Sequence, residues 1–145
     1  MNNTDTKVEK TESTNRVVTA ICQKYLDELR VNTPEILSAA VTTGDGFSVA
    51  ISTSTDVSAD KLAAMTSSMH ALGEAVVNEA KLRKCQNIVI EAESGKVLLF
   101  EIPNVEQGLV LNIIASNQAI LGHLLWASKN CCGSISQKLQ LQIKL

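Results

Sequence analysis

The sequence predicts an α+β domain in which one antiparallel sheet of five strands lies between helices, three layers in all. Two observations carry this reading. The hydrophobic patterns follow the order helix, two strands, helix, three strands, helix. The strand segments, among them NIVIE, VLLFEI and LVLNIIA, are near-continuous apolar runs, as expected for a sheet covered on both faces. The simplest packing puts the middle helix on one face and the two terminal helices on the other. One helix hardly covers five strands, so the rest of that face is expected to take a second copy of the chain.

Residues 1–14 are polar, rich in Thr, Asn, Glu and Lys, and are expected to form a flexible tail ahead of a domain spanning 15–139. From Asn15 to Arg30, Val18, Ile21, Cys22, Tyr25 and Leu29 recur at helical spacing, and the helix must end before Pro34. Ile36–Val41 and Phe47–Ser52 read as a hairpin around the turn signal Thr43-Gly44-Asp45-Gly46. A phosphate loop at these glycines would need a following helix N-terminus, a lysine and a hydroxyl, and a strand follows instead. Asn87–Glu91, Val97–Ile102 and Leu109–Ala115 form a three-stranded meander joined through Ser94-Gly95 and the loop 103–108. Glu91, Glu93 and Glu101 read as ion-pairing or solvated carboxylates on these strands and turns. A last helix begins at Gln118 and carries Ile120, Leu124, Ala127, Cys131 and Ile135, with Gly122 and Gly133 weakening it. The terminal KLQLQIKL alternates with strand period and is read as a strand, with a continued helix or a loose tail (140–145) as the other readings.

The central stretch, Val57 to Arg83, contains no proline and only one glycine, Gly73. Ser58 is placed to cap it, Asp60 suits its first turn, and Lys81 and Arg83 are expected in its last turn. Leu62, Met65, Met69, Leu72, Val76 and Ala80 form an apolar stripe, expected to face the sheet. Ala64, Ser68, Ala71 and Ala75 form a row of small residues. Such a row lets a second helix approach closely, though alanine and serine also serve as simple helix filler. Ser67, His70, Glu74, Asn78 and Lys81 form a polar row, expected at an edge open to solvent or to a third body.

Composition narrows the function. A net charge of -2 and only four aromatic residues argue against nucleic-acid binding. No apolar run is long enough to span a bilayer and the N-terminus has no hydrophobic segment, so a cytoplasmic protein without membrane insertion is expected. Cys22, Cys85, Cys131 and Cys132 fit no zinc-ligand spacing and read as buried thiols in a reducing compartment. His70 reads as a solvated side chain with some claim to a partner-binding face, and His123, beside Trp126, as a packing residue. No catalytic set can be assembled, and no metal or cofactor is expected.

From about Asn15 to Gln137 the chain resembles the roadblock / dynein light chain family. The resemblance rests on the hairpin at Gly44-Asp45-Gly46, the helix-opening Leu62-Ala63-Ala64, the meander ending in LVLNIIASN, and Asn117 with Leu121-Gly122 at the start of the last helix. It implies a profilin-like sheet in the order 2-1-5-4-3. It further implies homodimers in which the third strands pair and the central helices lie side by side. Ala64, Ser68, Ala71 and Ala75, with the edge residues Ile88, Val89, Ile90 and Glu91, would then form the dimer interface. In bacterial relatives such a helix pair is a platform for a small Ras-like GTPase, some members stimulating hydrolysis. Ser67, His70, Glu74 and Asn78 are the candidate contacts for it. The reading is thus a non-enzymatic homodimeric regulator, with a pure scaffold subunit as the alternative and a small-molecule or redox sensor as a third.

Overall fold

The computed structural model describes residues 3–143. In chain order the elements are α1 (Asn3–Asn32), β1 (Ile36–Thr43), β2 (Ser48–Thr53), α2 (Ala59–Glu79), β3 (Asn87–Ala92), β4 (Gly95–Ile102), β5 (Leu109–Ser116) and α3 (Leu121–Ile143). The five strands form one antiparallel sheet in the order β2-β1-β5-β4-β3. α1 and α3 pack together on one face and α2 lies alone on the other.

The main core lies between the sheet and the α1–α3 pair. Ile21, Cys22, Leu26 and Leu29 of α1 and Leu124, Cys131, Ile135 and Leu139 of α3 close over Val41, Leu98, Phe100, Ile102, Leu111 and Ile113. Side chains this size are worth about 1.5–3 kcal/mol each when fully buried. The opposite face is built differently. Asn112 receives the Thr66 hydroxyl of α2, so Asn112 points toward that helix. Its register partners Ala40 and Leu99, and the next-but-one Val110, share its face. On β1 the α2 face therefore carries Ser38, Ala40 and Thr42, which are small or polar.

Three local expectations are corrected. α1 begins at Asn3, twelve residues before the predicted start, and its first turns are exposed. Extending a helix costs far less than nucleating one, so a packed segment carries its polar neighbours along; Thr11 and Thr14 donate their hydroxyls back to the Lys7 and Lys10 carbonyls at 2.9 Å. The KLQLQIKL alternation is helix through Ile143, with Leu139 buried against the core; its last two residues lie outside the described part. And α2 ends at Glu79, so Lys81 and Arg83 follow the helix with left-handed φ of 60° and 79° rather than occupying its last turn.

Turn chemistry is as the sequence requires. Gly46 closes the β1–β2 hairpin at φ 99°, its N–H donating to the Thr43 carbonyl at 3.1 Å. Gly95 opens β4 where a Cβ would run into the Ala115 carbonyl oxygen, so the β4–β5 spacing there depends on the missing side chain.

Candidate interaction surface

α2 begins at Ser58, whose Oγ accepts the Lys61 N–H at 3.4 Å. The residues that seat it on the sheet are not the predicted stripe. Ala63 and Thr66 are its buried positions, and Gly73 meets Ile88 of β3. Met65, Leu72 and Val76 are 59%, 65% and 66% exposed, and Ala80 is exposed as well; Leu62 and Met69 are half-buried. The reason lies in the sheet. Beneath the first half of α2, β1 offers Ser38, Ala40 and Thr42 and β5 offers Asn112, so the helix settles there on its own small residues and its bulkier apolar flank is turned aside.

That flank overhangs an uncovered part of the same sheet face. Ile88 points toward α2, and by register so do Ile90, Val97 and Ile114, all half-buried. Beside them β3 is the edge of the sheet, bonded among the described residues to β4 alone. Val89 points the other way and packs against the main core, and Glu91 is exposed. Ala64, Ser68, Ala71 and Ala75 are all exposed, and Ser68 and Ala75 lie next to the apolar flank around the helix. The outward side of α2 is therefore apolar and smooth, and it ends at an open strand edge.

The polar row does not stand at the solvent edge as expected; most of it turns back toward the sheet. Ser67 donates to the Gly44 carbonyl at 2.7 Å, tying α2 to the β1–β2 turn. His70 reaches over β4, with Nε2 3.9 Å from a Glu101 oxygen, and its side chain is only 24% exposed. Glu74 is half-buried beside it, and Asn78 and Lys81 are exposed. Lys84, after the helix, lies 3.4 Å from the same Glu101 oxygen. Sequence reasoning misses this role of Glu101. Its place under His70 depends on how α2 crosses β4, which no spacing within the sequence encodes.

The other singled-out residues lie elsewhere. His123 and Trp126 stack with centroids 6.1 Å apart on the outside of α3, and Trp126 is 64% exposed, so neither is a core residue. Single-turn spacing on an exposed helix face accounts for the pairing. All four cysteines are free thiols; Cys22, Cys131 and Cys132 are buried and Cys85 is half-buried. Among the described residues no helix is long and apolar enough to cross a membrane.

An α2 standing alone on one face of a 2-1-5-4-3 sheet defines a class, and comparison with known proteins places the chain in it. The Roadblock/LC7 domain family matches residues 23–115. The protein belongs to the Roadblock/LC7 family. Among solved structures it is similar to Myxococcus xanthus MglB, with a TM-score of 0.75 at 15% identity over 84% of this chain and 90% of that one. A Roadblock/LC7 domain from Streptomyces avermitilis gives 0.73 at 20% identity, over 81% and 97%. The gliding protein MglB from Thermus thermophilus gives 0.72 at 17% identity, over 83% and 89%. At these identities the likeness is one of fold. No curated protein sequence matches the chain.

Proposed function

We propose that the protein is a non-enzymatic homodimeric adaptor that binds a small Ras-like GTPase. One observation carries the dimer: an apolar helix flank (Met65, Leu72, Val76) stands exposed beside half-covered Ile88, Ile90, Val97 and Ile114, next to an unpaired β3 edge. A two-fold partner satisfies all three at once. β3 pairs with β3 of the partner through Ile88, Val89, Ile90 and Glu91, and the α2 helices meet along Ala64, Ser68, Ala71 and Ala75 with the apolar flank between them.

The GTPase role is supported by membership of the Roadblock/LC7 family, whose bacterial members the chain resembles. The paired helices then form a platform, rimmed by Ser67, His70, Glu74 and Asn78. An arginine finger is not part of the proposal. Within Val57–Arg83 the only arginine is Arg83, which lies beyond the end of α2 in a left-handed conformation. Any stimulation of hydrolysis would come from ordering the switch loops.

The test is a binding titration against a small Ras-like GTPase from the same organism, in its GDP form and bound to a non-hydrolysable GTP analogue. Preference for the triphosphate form, weakened by His70→Ala with Glu74→Ala while the dimer persists, is the expected result. Binding to neither form would contradict the GTPase reading. Binding without a change in hydrolysis rate would assign the scaffold role instead.

A further inference from the structure

Where α2 crosses β4, three metal-ligating side chains converge. His70, Glu74 and Glu101 each bring one ligand atom to within 4.8 Å of the others, and all three residues are half-buried. His70 and Glu74 are four apart on one helix, hence neighbours on one face. Glu101 comes from the strand beneath. Among the described residues the buried His70 Nε2 atom has no hydrogen-bond partner, although a Glu101 oxygen stands 3.9 Å away. A buried polar atom left unpaired costs about 1–3 kcal/mol, so this nitrogen calls for a ligand. We propose that these three residues bind a divalent transition-metal ion of the zinc type, which staples α2 to the sheet.

The donor set selects the ion. One imidazole nitrogen and two carboxylate oxygens are a recognised set for zinc-like ions, whereas magnesium and calcium take oxygen alone. Tetrahedral coordination with bonds of about 2.0 Å needs ligand atoms about 3.3 Å apart, so the three atoms must draw together by at most about 1.5 Å. The two glutamates, each partly exposed, have rotatable side chains on which such a closure would draw. Three protein ligands leave a fourth position for water or for a donor from another molecule. Lys84 is the competing charge. Its ammonium lies 3.4 Å from Glu101, but its side chain is 68% exposed and can turn out into solvent. Without metal, the Lys84 ammonium lies against Glu101; with metal, the ion takes its place. The site depends only on how α2 sits on β4 within one chain, and stands whether or not a GTPase binds.

The experiment uses the full-length protein stripped with chelator. Zinc titrated by calorimetry is expected to bind at one ion per chain, and zinc at about 100 μM to raise the melting temperature by about 5 °C. Magnesium should leave the melting temperature unchanged. Cobalt should give visible d–d bands that zinc bleaches. His70→Ala and Glu101→Gln should each weaken binding at least tenfold, and Glu74→Gln supplies a milder change should either fail to fold. His123→Ala should bind as wild type. No saturable binding, or binding that survives both His70→Ala and Glu101→Gln, would overturn the proposal, as would zinc binding lost in His123→Ala.

Discussion

Gly73 of α2 rides directly over Ile88 of β3: a Cβ on Gly73 would stand 2.6 Å from Ile88 Cδ1 and 3.3 Å from its Cγ1. The absent side chain sets how closely the helix approaches the sheet edge. Gly73→Val should therefore destabilise the fold by about 1–3 kcal/mol through overpacking. Adding Ile88→Ala should return part of that loss, with a coupling of about 0.5–3 kcal/mol between the two sites. Urea unfolding of the four-member cycle measures it, and strict additivity would mean that the contact is not the constraint.

Thr66 and Asn112 form the polar bridge between α2 and the centre of the sheet. The Thr66 hydroxyl donates to Asn112 Oδ1, and both residues are buried. Thr66→Val keeps the shape and leaves the Asn112 carbonyl without its donor, which should cost about 1–3 kcal/mol. Urea unfolding measures it, and an unchanged stability in Thr66→Val would count against the bridge.

Most of the fold is legible in the sequence because burial imposes patterns that the strands and the packed turns of α1 and α3 obey. The apolar runs place β3, β4 and β5 within two residues of their ends, and the capping serine of α2 stands out by type and position. The failures share a cause. Periodicity assigns the stripe Leu62–Met65–Met69–Leu72–Val76 to the core, but it reveals only that an apolar face exists, not what covers it. The face that meets the sheet is Ala63, Thr66 and Gly73, whose small size lets the helix lie close to the strands. Likewise Glu101 joins His70 only through the crossing of α2 over β4, a long-range geometry absent from local spacing.

The buried thiols give the stability an alkaline limb. An ordinary thiol ionises near 9.0, while burial pushes Cys22 up to about 12 and Cys131 also to about 12, Cys131 with further contributions from Cys22 and Glu28. Cys132 is pushed up as well, by burial and then by Cys131. The folded state thus keeps protons that the unfolded chain releases. Their contribution is intact below pH 9 and is lost as the pH rises toward 12, by up to about 1.4 kcal/mol per pH unit for each thiol. Cys22→Ala should flatten that limb by about one thiol's share. An unchanged slope in denaturant titrations between these pH values would contradict it.

Leu72 is 65% exposed, so Leu72→Lys should leave the stability of an isolated chain within about 0.5 kcal/mol. In a dimer joined along α2 the same change buries a charge between two helices and should raise the dissociation constant at least tenfold. Unfolding under conditions where the chain is monomeric, with self-association measured separately, distinguishes the two. A large loss of monomer stability would place Leu72 in the core after all.

The central claim is that the α2 flank and the β3 edge are closed by a second copy of the chain. Sedimentation equilibrium of the purified protein alone, across a concentration series, tests it most directly. The account predicts a mass of twice 15.6 kDa that persists on dilution into the low micromolar range and shifts toward the monomer in Leu72→Lys. A single 15.6 kDa species at every concentration would contradict it.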